Sequence, residues 1–267
     1  AGGTLSDTMR AAYYERTGPA AEVLVLGELP APVPQPGEVL VRVAASGINP
    51  ADVKRRAGWQ GMAMAHPRIV PHCDGAGTIE AVGPGVSDAR IGERVWLWNA
   101  QGGYGEVGRA LGTAAELISI ASAQAVKLPA FYGRSEGACL GVPALTAHRC
   151  VMADGPVAGL TVLVQGGAGA VGSIAVQIAR CGGARVLATA GTEAAAGRVA
   201  GLGAEPILRH EEDVAERVLA ITGEPQVDRI IEVDFAANAA SDAALLRPNG
   251  TLASYSSSSD PKPTLDY

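Results

Sequence analysis

Three glycines, Gly167, Gly169 and Gly172, stand at G-x-G-x-x-G spacing directly after the apolar run Val162-Leu163-Val164. Apolar residues then recur at Val171, Ile174, Ala175 and Ile178, the three-and-four spacing of a helix face turned to a core. Strand, glycine turn and helix in that order are the context in which this motif binds a dinucleotide. Gly167 allows the tight turn, Gly169 lets the backbone approach a pyrophosphate, and Gly172 lets the helix pack on the strand. The diphosphate would rest on the free N–H groups that open the helix, at Ala170 and Val171, and on its positive dipole end.

The end of the next strand bears on which dinucleotide. Rossmann domains that prefer NAD usually place Asp or Glu there, to accept from the ribose 2′-hydroxyl. Here the strand Arg185 to Ala190 runs out in Ala190-Gly191-Thr192, with no carboxylate at the tip. Glu193 comes slightly late and reads as the opening of the next helix, where the dipole favours it. Arg198 and Arg209 lie in segments that can approach the tip and meet a 2′-phosphate; the alternative for each is a solvated helix or loop residue. With Gly191 and the Thr192 hydroxyl completing the contacts, the expected cofactor is NADPH.

These residues need a frame, and the second half of the chain supplies one. Strand-like runs at Val162 to Val164, Arg185 to Ala190, Pro206 to Leu208, Val227 to Val233 and Gly250 to Ser254 alternate with helical patterns. The helices are expected after the glycine loop and over Ala194 to Leu202, Val214 to Ile221 and Ala237 to Leu246. That alternation predicts an α/β domain of the Rossmann kind, a doubly wound parallel sheet over residues 131–267. Residues 9–130 instead hold strand-like pieces (Arg10 to Tyr14, Val23 to Leu26, Val39 to Ala45, Gly77 to Val82, Arg94 to Trp98, Leu117 to Ile120) between Pro- and Gly-rich turns. They predict a compact β-rich domain with one short helix over Ala51 to Ala57 and a boundary near Pro129 to Gly133.

Composition excludes some partners. A net charge of -6 without a basic block argues against nucleic acid or an anionic membrane surface. No apolar run approaches the roughly 18 residues of a membrane span, and the N-terminus has no secretion-signal pattern. Met9 reads as the natural start. The four cysteines, Cys73, Cys139, Cys150 and Cys181, form no C-x-x-C pair, in keeping with a reduced, cytoplasmic setting.

Several further pieces carry a resemblance: Gly47-Ile48-Asn49-Pro50-Ala51-Asp52, Asp74-Gly75-Ala76-Gly77-Thr78-Ile79-Glu80-Ala81-Val82-Gly83, Gly92-Glu93-Arg94-Val95-Trp96, Gly102-Gly103-Tyr104, Leu145-Thr146-Ala147 and Ala188-Thr189-Ala190-Gly191-Thr192-Glu193. With the glycine loop they cover Met9 to Ser254 in one order. The chain resembles the zinc-independent, ζ-crystallin-like quinone oxidoreductases of the medium-chain dehydrogenase/reductase superfamily. The resemblance implies a GroES-like catalytic domain, a Rossmann domain, and a cleft between them for nicotinamide and substrate.

It also carries residue expectations. In the zinc alcohol dehydrogenases of this superfamily the ligands would fall at Ser46, Cys73 and Val142; Val142 cannot bind a metal, and catalytic zinc needs three protein ligands. The neighbouring His66, His72, Cys73 and Asp74 offer a competing metal site, but His72 and Cys73, read as strand neighbours, would face opposite ways. No metal is expected. Asn49, Tyr104 and Thr146 would line the nicotinamide cleft, with Asn49 donating to a carbonyl oxygen. Lys54 stands where many relatives carry a tyrosine near the quinone. Either it stabilises an enolate or quinol oxyanion, or it is a solvated lysine beside Arg55 and Arg56. Arg209 stands where relatives often carry a tyrosine near the 2′-phosphate. The expected activity is NADPH-dependent, metal-free reduction of a quinone. Its alternatives are reduction of an α,β-unsaturated carbonyl and, in another class, a non-catalytic NADPH-binding protein, crystallin-like or RNA-binding. Relatives continue past the fifth parallel strand, so a longer natural chain is expected to form a homodimer.

Overall fold

A computed structural model describes residues 7–102 and 108–264. The chain divides into two compact units, with the division between Val142 and Pro143.

The first unit contains β1 (Thr8–Tyr13), α1 (Ala20–Val23), β2 (Val25–Pro30), β3 (Glu38–Gly47), α2 (Pro50–Ala57), β4 (Asp74–Val82), β5 (Arg94–Leu97), β6 (Leu117–Ala121), β7 (Ala125–Lys127) and α3 (Arg134–Gly137). Its main sheet is antiparallel with strand order β6-β3-β4-β5-β7, beside a separate β1-β2 ribbon. Alternation along β3 turns Val39 and Val41 into one core with Ile79, Val95, Leu97, Ile118 and Ile120. Leu40, on the opposite face, joins Met9, Ala11, Leu29, Val70 and Leu117. Both faces of β3 are thus buried over Val39 to Val41, which pins its register, because a one-residue slip would exchange the two cores. That register sets Gly47 opposite Asp74.

Two local expectations differ from the structure. The strand expected over Val23 to Leu26 is displaced: Val23 closes the short helix α1 and the strand begins at Val25. The exposed Val25 and Leu26 lie on a two-stranded ribbon, where pairing with β1 rather than burial decides the conformation. His72 and Cys73 precede β4 rather than lying on a strand, and His72 adopts φ 82°. The helix α3, beyond the change of composition at Pro129 to Gly133, packs on β3 and β4.

The second unit contains most of α4 (Val142–Met152), then β8 (Thr161–Val164), α5 (Ala170–Cys181), β9 (Arg185–Ala190), α6 (Glu193–Gly201), β10 (Glu205–Leu208), α7 (Val214–Thr222), β11 (Val227–Glu232), α8 (Phe235–Leu245) and β12 (Leu246–Ser254). The strands are all parallel in the order β10-β9-β8-β11-β12. The three central strands β9, β8 and β11 are covered on both faces, as in parallel sheets generally. Val162 and Val164 of β8 pack with Ala175, Val176 and Ala179 of α5, whereas Leu163 joins Val218 of α7 and Leu245 of α8. The buried Arg229 of β11 donates to the carbonyls of Val151, Asp154 and Gly155, and so satisfies acceptors at the C-terminal end of α4. Strand order reverses around β8, and ligands of such sheets bind at the carboxyl ends of the strands at that point. Among the described residues no helix is long and apolar enough to cross a membrane, and the four cysteines are free.

Candidate functional site

The glycine loop leaves β8 at the reversal of strand order. Its left-handed residue is Gly166 (φ 68°), one place before the first motif glycine, so the turn falls there. At Gly167 the constraint is space, since an added Cβ would lie 2.5 Å from the Ala188 Cβ on β9. At Gly172 an added Cβ would collide with the carbonyl oxygen of Gly166, so helix and loop meet backbone to backbone. The loop is tied to β9 by N–H groups of Gly166 and Gly167, which donate to Thr189 Oγ1 and Thr189 O, each at 2.9 Å. Ala170 and Val171 open α5 behind the cap residue Gly169, and their N–H groups belong to the first turn, which has no intrahelical acceptor.

A groove of about 310 Å³ lies above this loop, lined by Gly166, Gly169, Thr189, Gly191, Arg209 and Val233 among others. Gly191 follows directly on β9, and a Cβ added there would lie 3.8 Å from Arg209 Nε and 3.9 Å from its Nη2. The guanidinium therefore sits at the strand tip, exposed, and among the described residues no carboxylate pairs with it. The His210 Nε2 lies equally close, 3.8 Å from the same point, and the sequence reading missed it. Its only sequence signal is adjacency to Arg209. Thr192 caps α6, its hydroxyl accepting from the Ala195 N–H at 3.2 Å while its own proton stays free to donate. Arg198 does not join the groove: it is exposed on α6 and its guanidinium reaches the Ala194 carbonyl at 3.4 Å. Thr146 is half-buried on α4, also outside this lining.

In the first unit, the β3–β4 register assembles a buried polar cluster. Asn49, 5% exposed, ends the loop into α2; its backbone N–H donates to Asp52 Oδ2 and its amide to Asp74 Oδ2, both at 2.8 Å. The Val142 N–H also donates to Asp74 Oδ2, at 2.7 Å. Asp74 Oδ1 and Asp52 Oδ1 are buried without a partner. Burial pushes Asp74 up to about 6, Asp52 adding repulsion while the Asn49 and Val142 donors pull the other way; burial raises Asp52 also. Asn49 thus keeps one amide proton beyond the one spent on Asp74. Lys54 places its ammonium 4.3 Å from the centroid of Trp59, a cation–π contact. Tyr104 lies outside the described residues.

The raised Asp74 gives a signed prediction. The group stays neutral in the folded state but ionises in the unfolded chain, so its contribution is full below about pH 4 and is lost as pH rises towards about 6. The loss amounts to about 3 kcal/mol at most. Asp74→Asn should flatten the fall of stability across that window in urea titrations, and an unchanged slope would contradict the assignment.

The three positions where zinc ligands would fall do not fit a metal. Ser46 Oγ is hydrogen-bonded to His72 Nδ1 and to Thr113 Oγ1, both at 2.8 Å. Cys73 is buried, its thiol is pushed up by that burial, and the Arg55 guanidinium lies 3.7 Å from its sulfur, where it would repel a metal cation. Val142 offers no side-chain donor. Among the described residues no three His, Cys, Asp or Glu side chains are grouped as a metal site.

An antiparallel GroES-like unit, followed by a parallel sheet with a glycine loop at its strand-order reversal, defines a medium-chain dehydrogenase/reductase. The alcohol dehydrogenase GroES-like domain family matches residues 35–130 and the zinc-binding dehydrogenase family matches residues 170–266. A quinone oxidoreductase of Lama guanicoe is 35% identical over 91% of this chain and 72% of its own. The structure of a quinone oxidoreductase of Pseudomonas syringae superposes with TM-score 0.80 at 27% identity, covering 97% of this chain and 76% of that one. A mycobacterial structure in complex with NADPH gives TM-score 0.79 at 31% identity, over 97% of this chain and 76% of that one. The chain belongs to the quinone oxidoreductase family of the medium-chain dehydrogenase/reductase superfamily, a family of nicotinamide-dependent oxidoreductases.

Proposed function

We propose that the protein is an NADPH-dependent oxidoreductase that reduces a quinone without a metal ion. The observation that carries the reading is the Arg209 guanidinium at the tip of β9, where no carboxylate stands to receive a ribose 2′-hydroxyl. Its relatives named as quinone oxidoreductases, and the one solved with NADPH, point the same way.

The bound cofactor supplies hydride from nicotinamide C4, and a hydride with one proton converts a quinone to a quinol. The chain's part is position and charge. Helix N–H groups at Ala170 and Val171 take the diphosphate, Gly169 lets the backbone approach it, and Gly167 and Gly172 keep the cradle open. Gly191 leaves room at the strand tip for the 2′-phosphate, which Arg209 and the Thr192 hydroxyl bind. Thr146 holds the nicotinamide carboxamide, and the free amide proton of Asn49 orients the acceptor carbonyl. Lys54 and Tyr104 complete the acceptor side, with the ammonium stabilising oxyanion charge. Arg198 is assigned no part, because its guanidinium turns back to its own helix.

NADPH oxidation against a panel of quinones and enones tests the substrate class, with quinones expected to turn over faster. Activity should persist after chelation. Stoichiometric zinc by elemental analysis, together with loss of activity on chelation, would overturn the metal-free reading.

A further inference from the structure

A second pair of buried acids lies under the glycine loop. Glu232 at the end of β11 and Asp242 on α8 are both fully buried, and their carboxyl groups face each other closely enough to compete for one proton. Two carboxylates cannot share such a contact unless one carries the proton, because neither has a hydrogen to donate when ionised. The surroundings fix which. Glu232 accepts from the Asn238 amide at 3.0 and 3.2 Å, and from the Asp234 N–H. Asp242 Oδ1 accepts from the Gln165 amide at 2.8 Å, but its Oδ2 is buried with no donor. A proton on Asp242 Oδ2, donated to Glu232, satisfies both groups.

Among the described residues, the ionisable groups around the pair supply no counter-charge. The charge that acts on Asp242 is that of Glu232. Facing Glu232 are the Tyr255 phenol, after β12, and near that the Cys150 thiol of α4, both pushed up by burial and so held neutral. Burial first, then Glu232, pushes Asp242 up to about 8.

From this pair a one-directional chain leads to the groove. Gly166 N–H donates to Thr189 Oγ1 at 2.9 Å, Thr189 O–H donates to Gln165 Oε1 at 2.9 Å, and the Gln165 amide donates to Asp242 Oδ1. Gln165 joins β8 to the loop, and Gly166 and Thr189 line the groove. Each member has one donor direction, so the three bonds run unbroken from the loop to the acid pair.

We propose that Asp242, sharing one proton with Glu232, is a positioning residue for the dinucleotide loop, acting through Gln165 and Thr189 on the Gly166 amide. Loss of the shared proton sets two buried negative charges against each other, across the contact between α8 and β11. The chain then loses its anchor and the loop its fixed turn. The inference rests on the dinucleotide reading of the groove, but it concerns the diphosphate cradle common to NADPH and NADH, not the 2′-phosphate.

Dinucleotide affinity measured from pH 6.5 to 9.5 tests it, in the full chain and with both cofactors. For the wild type, affinity for NADPH and NADH should fall together above about pH 8. In Asp242→Asn the amide donates to Glu232 and accepts from Gln165 at any pH, so affinity should stay within about threefold of wild type at pH 7 and lose its pH dependence. Thr189→Val cuts the chain at the loop and leaves the acid pair intact; it should weaken both cofactors about tenfold and also remove the pH dependence. A pH dependence retained in Asp242→Asn, or wild-type affinity in Thr189→Val, would overturn the proposal. The protection of the Gly166 amide against hydrogen exchange, corrected for intrinsic rate, gives a readout without cofactor. It should decline above about pH 8 in the wild type and not in Asp242→Asn. If neither dinucleotide binds at any pH, the cofactor reading fails, and this protection then decides the positioning role by itself.

Discussion

Arg209→Ala should weaken NADPH by about ten- to hundredfold and leave NADH nearly unchanged, since only the phosphate contact is lost. One charge-assisted hydrogen bond to the phosphate contributes roughly 1.5–3 kcal/mol. The guanidinium stands within 4 Å of where a Gly191 side chain would begin, and among the described residues it has no competing carboxylate. A group so exposed is screened, so added salt should erode the NADPH preference of the wild type and leave that of Arg209→Ala flat. Titration of both cofactors at two ionic strengths checks this. Equal wild-type affinities, or a variant that loses both cofactors alike, would make Arg209 a solvated surface residue and remove the basis for naming NADPH.

Gly172→Ala should produce the complementary pattern, with NADPH and NADH weakened together by about ten- to hundredfold, since overpacking of this kind costs roughly 1–3 kcal/mol. The added methyl meets the Gly166 carbonyl oxygen, which is backbone and cannot rotate away. Relief requires α5 to move off the loop, and that movement opens the diphosphate cradle whichever ribose the cofactor carries. Calorimetric titration of both cofactors, alongside the thermal transition of the variant, separates a displaced loop from a collapsed unit. Unchanged binding in a folded variant would show that helix and loop are not in contact where the structure puts them.

Much of the second unit was legible because its signals are local. Val162 to Val164, the glycines after them, and the spacing of Val171, Ile174 and Ile178 each follow from strand geometry, turn sterics or helix period over a few residues. The same holds for the strand tip, where the absence of a carboxylate after Ala190 is a fact of composition. Even there, the turn belongs to Gly166 rather than Gly167, because a positive φ leaves no mark in a run of glycines.

Arg198 and Arg209 show where local reading ends. Both segments can reach the tip, but α6 begins at Glu193 behind its cap Thr192 and its phase turns Arg198 to solvent, whereas Arg209 follows β10 and its N–H is held by the Ala190 carbonyl at 3.1 Å. The strand pairing of β9 and β10 made that choice, not the residue type. Asn49 was legible as a polar residue at the start of a helix; its bond to Asp74, 25 positions away, was not, because it depends on the β3–β4 register.

The sequence by itself determined the two kinds of sheet, the glycine loop and the missing carboxylate, since each is encoded in residues adjacent along the chain. Tertiary structure alone decided that Asp74 is buried with an unpartnered oxygen, that Asp242 is buried against Glu232, and that Gln165 meets Asp242 across 77 residues. An aspartate on a helix is an ordinary polar residue until packing removes its water. Burial and partner are properties of the assembled core, and they turn a common side chain into one that must hold a proton.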